Sequence, residues 1–405
     1  MPLTKLDCIL KTEVTELAKK QPLKGNEQII TGVKPATGSF GPRFYIAGQG
    51  QKEFLCMNSN SYLGLSLNPQ VIQAEEAASK KFGAGPGAVR FISGTYQHHI
   101  DLEDRLAAFH NKDKAMLFSA AYATVLGVLF SIISKDSVVI SDALNHNSII
   151  NALRLARPAA KGIYKHLDLD DLENQLNTHH QSSQRALVIT DGIFSMRGDH
   201  APLKEISALC AKYDARYEEG VILVVDDSHG VGVFGKTGRG TEEYCGASAD
   251  ILIGTLGKAI GINGGYVATS SAVIDFLREQ APMYIYSNPI TPSESAAALK
   301  ALEIIDSSTG ITLLDNVRSL SRRFENGLTR IGFETITSEH PIVPLMVRDT
   351  AKTSALTKHL FDNEILATGL NFPVVPKGDE EIRFQISANH TEQDIDFALQ
   401  VLEHF

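Results

Sequence analysis

The sequence predicts an α/β fold, a large domain built on a mostly parallel sheet followed by a smaller C-terminal α/β domain. Three observations carry this. From about residue 54 to 290, short apolar runs alternate with amphipathic ones, the pattern of buried parallel strands joined by crossover helices. Beyond about residue 300 the pattern changes to longer helices and isolated strands. A chain of 405 residues is also too long for one simple core. The expected organisation is an N-terminal arm and loop over 1–53, a large domain over 54–300 and a small domain over 301–405.

Taken in order, Lys5 to Leu23 has a moderately helical composition with scattered Leu6, Leu10 and Leu17, and reads as an arm. Pro35, Gly38, Gly41, Pro42, Gly48 and Gly50 then punctuate the chain as loop and turn chemistry. Val138-Val139-Ile140, Ala186 to Ile189, Val221 to Val225 and Ile251 to Ile253 are strand candidates, each bounded by Asp, Ser or Gly. Leu203, Ile206, Leu209 and Cys210 share one face at helical spacing and supply a crossover helix. In the last third, Pro341 to Val347 and Ile382 to Ser387 read as strands. Thr391 to Asp394 gives a capping-box-like start to a closing helix carrying Ile395, Leu399 and Leu402.

Composition narrows the function classes. With 43% hydrophobic and 21% charged residues the chain is of ordinary globular type. A net charge of −9 argues against nucleic-acid binding, which needs a basic surface. Cys8, Cys56, Cys210 and Cys245 lie far apart without CxxC spacing, so reduced thiols in a cytoplasmic protein are expected. The N-terminus, charged at Lys5, Asp7 and Lys11, has no apolar run suited to a signal peptide. Ala115 to Ser134 carries no charge and has the length of a membrane span, but Ser119, Tyr122, Thr124, Gly127, Ser131 and Ser134 interrupt it. No membrane association is expected.

Ligands of a parallel sheet gather at the carboxyl ends of its strands, so polar residues directly after apolar runs are the candidates. Asp226, Asp227, Ser228 and His229 follow one run; Gly254, Thr255 and Lys258 follow another; Asp191 and Ser195 follow a third. A carboxylate, a His and a Lys on neighbouring strand ends suit a pyridine cofactor held protonated and tethered covalently. Asp226 would keep the pyridine nitrogen charged, His229 would hydrogen-bond the phenolic oxygen, and Thr255 would donate to the phosphate. Lys258 would be tether and base, its amine brought toward neutrality by burial. No metal site is expected, since His98 and His99 have no partner at ligand spacing.

Thr255-Leu256-Gly257-Lys258-Ala259 with Gly264-Gly265-Tyr266 resembles the lysine signature of the fold-type I pyridoxal-phosphate (PLP) enzymes, and the similarity spans nearly the whole chain. Further stretches are Asn60 to Leu65, Val89 to Thr95, Ser141 to His146, Asp191 to Met196, Val225 to His229, Thr237 to Gly240, Tyr286 to Asn288 and Phe372 to Pro376. Within that group the chain is most similar to the α-oxoamine synthases, above all to glycine C-acetyltransferase. The resemblance implies a mostly parallel seven-stranded sheet and a Schiff base at Lys258. It implies that His146 stacks on the cofactor ring and meets substrate, that Ser195 joins the cofactor site, and that the backbone amides of Ala121 and Tyr122 hold the phosphate. It also implies a homodimer with shared active sites, Ser287 and Asn288 reaching the partner's phosphate, and Asn60 and Arg383 gripping the amino-acid carboxylate.

The implied reaction joins a small amino acid, glycine first, to an acyl-CoA, acetyl-CoA first. Another amino acid or a longer acyl chain is the alternative, and an aminotransferase or aldolase on the same scaffold is a further one. Arg383 is also open to pairing with Glu380 or Glu381, and Asn60 to capping a turn. Gly83 to Gly87 resembles a phosphate loop only superficially. Three departures bear on substrate: Tyr122-Ala123-Thr124-Val125 lacks the Asp and Asn usual in glycine C-acetyltransferases, the loop Ala259 to Asn263 after the lysine is shorter than theirs, and Ala84-Gly85-Pro86-Gly87 differs from their entrance loop.

Overall fold

The computed structural model describes residues 3–20, 27–372 and 374–405. Parts of the expected arm (1–2 and 21–26) and Pro373 lie outside the described residues.

Seven strands form the main sheet, in the order Lys114–Phe118, Gly265–Thr269, Ile251–Thr255, Val221–Asp226, Arg185–Asp191, Ser137–Asp142, Ala160–Tyr164. Gly265–Thr269 runs antiparallel to both its neighbours, and the pairs among the five strands beyond it are parallel. Strand residues alternate between two cores because side chains alternate across a sheet. Val138, Ile140, Val188, Val225 and Leu252 enter one core with Leu172, Leu176 and Ile206 from the helices. Val139, Leu187, Ile189, Val224 and Ile253 enter the other with Val125, Val128 and Ile149. Such strands, buried on both faces, read as continuous apolar runs. Each fully buried aliphatic side chain stabilises the fold by about 1.5–3 kcal/mol. The uncharged stretch from Ala115 is the first strand plus helix Ala121–Ile132. Among the described residues no helix is long and apolar enough to cross a membrane.

The C-terminal sheet is antiparallel, in the order Glu334–Thr335, Ile342–Met346, Glu381–Gln385, Thr368–Leu370. Helices Ser308–Arg330, Thr350–Asp362 and Glu392–Glu403 accompany it. Thr391 and Asp394 form the capping box of the last helix, and Asp394 also accepts from Gly41 N (2.9 Å) and pairs with Arg43 (2.5 Å). The glycine-rich loop is thereby tied to the end of the chain.

Next to the boundary expected at residue 54, the chain contacts segments from its last third. Leu55–Cys56 pairs in parallel with Ile365–Leu366, and Gln385 N donates to Met57 O at 2.8 Å. This crossing brings Asn60 and Tyr62 under Arg383 and Gln385.

Candidate active site

The carboxyl ends of three adjacent strands put Asp191, Asp226 and Thr255 close together; Asp191 and Asp226 are register partners. A cavity opens there, lined by Ala121, Tyr122, His146, Ser148, Asp191, Ile193, Ser195, Asp226, Ser228, His229 and Lys258. Seven of the site residues expected from sequence meet in it. The tight turn after Thr255 carries Lys258 into the cavity, with Ile262 N donating to Leu256 O at 2.8 Å.

Among the described residues, the Lys258 amine makes no hydrogen bond or ion pair. Burial pushes it down to about 8, against the opposing pull of Asp226 and Asp191. Asp191 is forced well above the usual carboxylate range by burial and by Asp226. Its Oδ2 accepts from His146 N at 3.1 Å, while its buried Oδ1 has no partner. Asp226 accepts at Oδ1 from the Ser228 backbone (3.1 Å) and hydroxyl (2.5 Å). Asp227 points the other way and accepts from Thr241 N (2.7 Å) and Oγ1 (2.6 Å), which explains two adjacent acids with different jobs.

Two histidines face the cavity. His146 caps helix Asn147–Ala156, its Nδ1 accepting from Ser148 N at 3.2 Å, so the ring proton sits on Nε2. Burial lowers its affinity for a second proton, with Asp226 opposing. His229 lies 2.8 Å through Nδ1 from the Tyr62 hydroxyl. Burial, reinforced by Lys258, holds it far below its ordinary range. His340 donates from Nε2 to His229 O at 2.8 Å and is pushed down to about 3 by burial, which keeps it neutral.

Helix Ala121–Ile132 begins at the cavity with Ala120 as N-cap, so no side chain satisfies its first amides. Gly265 permits the close approach: a Cβ there would sit 2.4 Å from Ala121 Cα. An uncapped helix N-terminus is a ready anion site. Together with an unpaired buried amine, the strand-end carboxylate Asp226 and the orphaned oxygen of Asp191, it fits a phosphorylated, nitrogen-bearing ring carrying an aldehyde.

Beyond the cavity wall, Arg383 donates from Nη1 to Ser195 O at 3.0 Å. It forms no ion pair among the described residues; Glu380 instead accepts from Gly378 N (2.8 Å) and Thr350, so the alternative of an Arg383–Glu380 pair is not realised. Glu381 is buried with Oε1 unpartnered and its carboxyl pushed up to about 8 by burial. Asn60 joins the Arg383 neighbourhood through Gln385 (3.1 Å).

Three of the expected cofactor residues are absent from the cavity. The Thr255 hydroxyl donates to Gly264 O (3.2 Å) and accepts from Gly257 N (3.0 Å), so it braces the lysine turn rather than presenting a donor to phosphate. Ser287 is half-buried and Asn288 exposed, just past helix Pro282–Ile285, and neither lines this chain's own cavity. Sequence reading passed over Tyr62, Ser148, His340 and Gln385. Tyr62 lay inside a quoted stretch; His340 is 111 residues from its partner and carried no local signal.

The aminotransferase class I and II family matches residues 52–402. The 8-amino-7-oxononanoate synthase of Thermosipho melanesiensis is 38% identical over 93% of this chain and 94% of that protein. That of Petrotoga mobilis is 40% identical over 87% and 88%. A solved serine palmitoyltransferase from S. paucimobilis with bound PLP is 28% identical, covers 99% of this chain and 97% of that one, and superposes with a TM-score of 0.88. The 8-amino-7-oxononanoate synthase of Francisella tularensis, at 24% identity and a TM-score of 0.73, shares the fold.

These relatives do not carry the glycine C-acetyltransferase specificity that the sequence resemblance favoured. Of the motifs behind that resemblance, those carrying His146, Asp191, Ser195, Asp226, His229 and Lys258 converge on the one cavity, and so they identify the group better than its substrate. From the matched family, its relatives and the geometry around Lys258, the chain belongs to the α-oxoamine synthases, PLP-dependent acyltransferases of fold type I that condense an amino acid with an acyl thioester.

Proposed function

We propose that this enzyme makes 8-amino-7-oxononanoate, and the observation that carries the reading is its 37–40% identity, over most of both chains, to proteins of that activity. The product name fixes the substrates by carbon count. The carbon bearing the amine keeps one methyl substituent, so the amino acid is alanine after loss of its carboxylate. The remaining seven carbons, ending in a ketone and a carboxylate, come from a thioester of heptanedioic acid. The Tyr122-Ala123-Thr124-Val125 run, lacking the Asp and Asn usual in glycine C-acetyltransferases, agrees with a different substrate pair.

Asp226 would face the pyridine nitrogen, His229 the phenolic oxygen, His146 the ring face, and the Ala121 and Tyr122 amides the phosphate; Ser195 completes the wall. The bound cofactor supplies a covalent attachment for the substrate amine and a sink for the electron pair left at Cα. Arg383 and Asn60 orient the alanine carboxylate, a planar guanidinium suiting that group. Lys258 Nζ takes the Cα proton, a task for which an amine held near 8 is suited. His146 Nε2–H donates to the thioester carbonyl oxygen as the new carbon–carbon bond forms and the thiolate leaves. Carbon dioxide then departs, and Lys258 returns a proton to Cα.

Ser287 and Asn288 would serve the partner's phosphate in a homodimer. Tyr286 beside them is 78% exposed, a large aromatic surface that a second copy would cover.

The test measures thiol release with alanine, glycine and serine against heptanedioyl-CoA, acetyl-CoA and palmitoyl-CoA. Alanine with heptanedioyl-CoA is expected to give the highest kcat/KM. Preference for glycine with acetyl-CoA would overturn the substrate assignment.

A further inference from the structure

Gln385 sits between Asn60 and Arg383, and its amide can be oriented in only one way that satisfies every neighbour. One terminal atom lies 3.0 Å from Arg383 Nε and 2.7 Å from Nη2. A guanidinium only donates, so that atom is the amide oxygen. The same oxygen is 3.1 Å from the terminal atom of Asn60, which must then be the amide nitrogen. That nitrogen lies 3.2 Å from the Tyr62 hydroxyl and donates to it. Tyr62, having accepted from Asn60, spends its own proton on His229 Nδ1 at 2.8 Å. The opposite orientation would set the Gln385 amine against two guanidinium N–H groups. Gln385 (1% exposed), Tyr62 (0%) and His229 (8%) are too buried for water to relieve such a clash.

We propose that Gln385, Asn60 and Tyr62 form a directional hydrogen-bond relay that starts at Arg383 and fixes His229 as the tautomer with its proton on Nε2. Tyr62 and Gln385 are thus positioning residues: they touch neither cofactor nor substrate, and they decide which His229 nitrogen can donate. The relay rests on the reading of His229 as partner of the phenolic oxygen and of Arg383 as partner of the amino-acid carboxylate. It ties those two contacts together through one row of groups, Gln385 and Tyr62 buried and Asn60 half-buried between them, so that a donor is already aimed at the phenolic oxygen before substrate arrives. His340, donating to His229 O, holds the ring's backbone while the relay sets its proton.

The test is two-bond ¹H–¹⁵N spectroscopy of histidine rings in full-length protein, with and without PLP, the His229 signals being identified by their loss in His229→Gln. Wild type should show a single Nε2–H pattern for His229 in both forms. Tyr62→Phe and Gln385→Leu should give mixed tautomers in the cofactor-free protein, while Gln385→Glu, which still accepts from Arg383 and Asn60, should retain the wild-type pattern. An Nδ1–H pattern in wild type, or an unchanged Nε2–H pattern in both Tyr62→Phe and Gln385→Leu, would overturn the relay. Failure of wild type to take up PLP would instead remove the cofactor reading, and the ring spectrum of the cofactor-free chain would still decide the tautomer.

Discussion

Replacing Lys258 by Met should stabilise the cofactor-free protein at neutral pH and abolish its activity. The Lys258 amine falls from its ordinary 10.5 to about 8, with burial as the largest cause. At about 1.4 kcal/mol per tenfold change in proton affinity, this strains the protonated folded state by about 3 kcal/mol. The cavity admits some water and the Lys258→Met variant leaves Asp191 and Asp226 without their cation, so a gain of about 1–3 kcal/mol is expected. The sign follows from linkage. Between pH 8 and 10.5 the unfolded lysine holds a proton that the folded one has lost, so wild-type stability rises with pH across that window, and the full penalty is present below pH 8. The assay is urea unfolding of both cofactor-free proteins from pH 7 to 10. The variant's advantage should be largest at pH 7 and shrink steadily toward pH 10. A variant less stable than wild type at pH 7, or a difference that does not vary with pH, would refute the account of a destabilised, functional lysine.

Three further outcomes follow from the same geometry. Arg383→Lys keeps the charge and loses the fork, and should raise the KM for the amino acid by about 10–100-fold while leaving that for the thioester unchanged. Gly265→Ala forces a Cβ to within 2.4 Å of Ala121 Cα; overpacking of about 1–3 kcal/mol should weaken PLP affinity by about 5–150-fold, read by equilibrium dialysis. Glu103 accepts from Arg90 at 3.0 and 3.1 Å, from Arg278 at 2.9 Å and from Leu117 N at 3.0 Å, and none of these residues lines the cavity. Glu103→Ala strands the buried Arg90 and should cost about 3–5 kcal/mol in urea unfolding, whether or not cofactor is present.

Much of the fold was legible because its strands are buried on both faces, so that Val138 to Ile140 and Val221 to Val225 stand out as apolar runs ending in polar residues. The polar residues after Val225 and after Ile253 gave Asp226, His229 and Lys258, three members of the cavity, directly. What stayed hidden were contacts between distant segments. Leu55–Cys56 is too short to announce a strand and pairs some 310 residues away, which is why its place beside the C-terminal sheet was missed. Gln385 and Tyr62, 323 positions apart, are linked only through Asn60, and a sequence pattern does not show that pairing. Thr255 shows a use that its spacing from Lys258 did not announce: its hydroxyl bridges Gly264 O and Gly257 N across the turn that presents the lysine.

The account turns on which carbon atoms the enzyme joins, and isotopic labelling reads this directly. The protein, loaded with PLP, is given heptanedioyl-CoA and alanine labelled separately at the carboxyl and methyl carbons, and products are weighed by mass spectrometry. The account predicts that carboxyl label leaves as carbon dioxide and methyl label appears in 8-amino-7-oxononanoate, in step with thiol release and only with Lys258 intact. Thiol release without methyl label in a new amino ketone, or equal product from Lys258→Met, would contradict it.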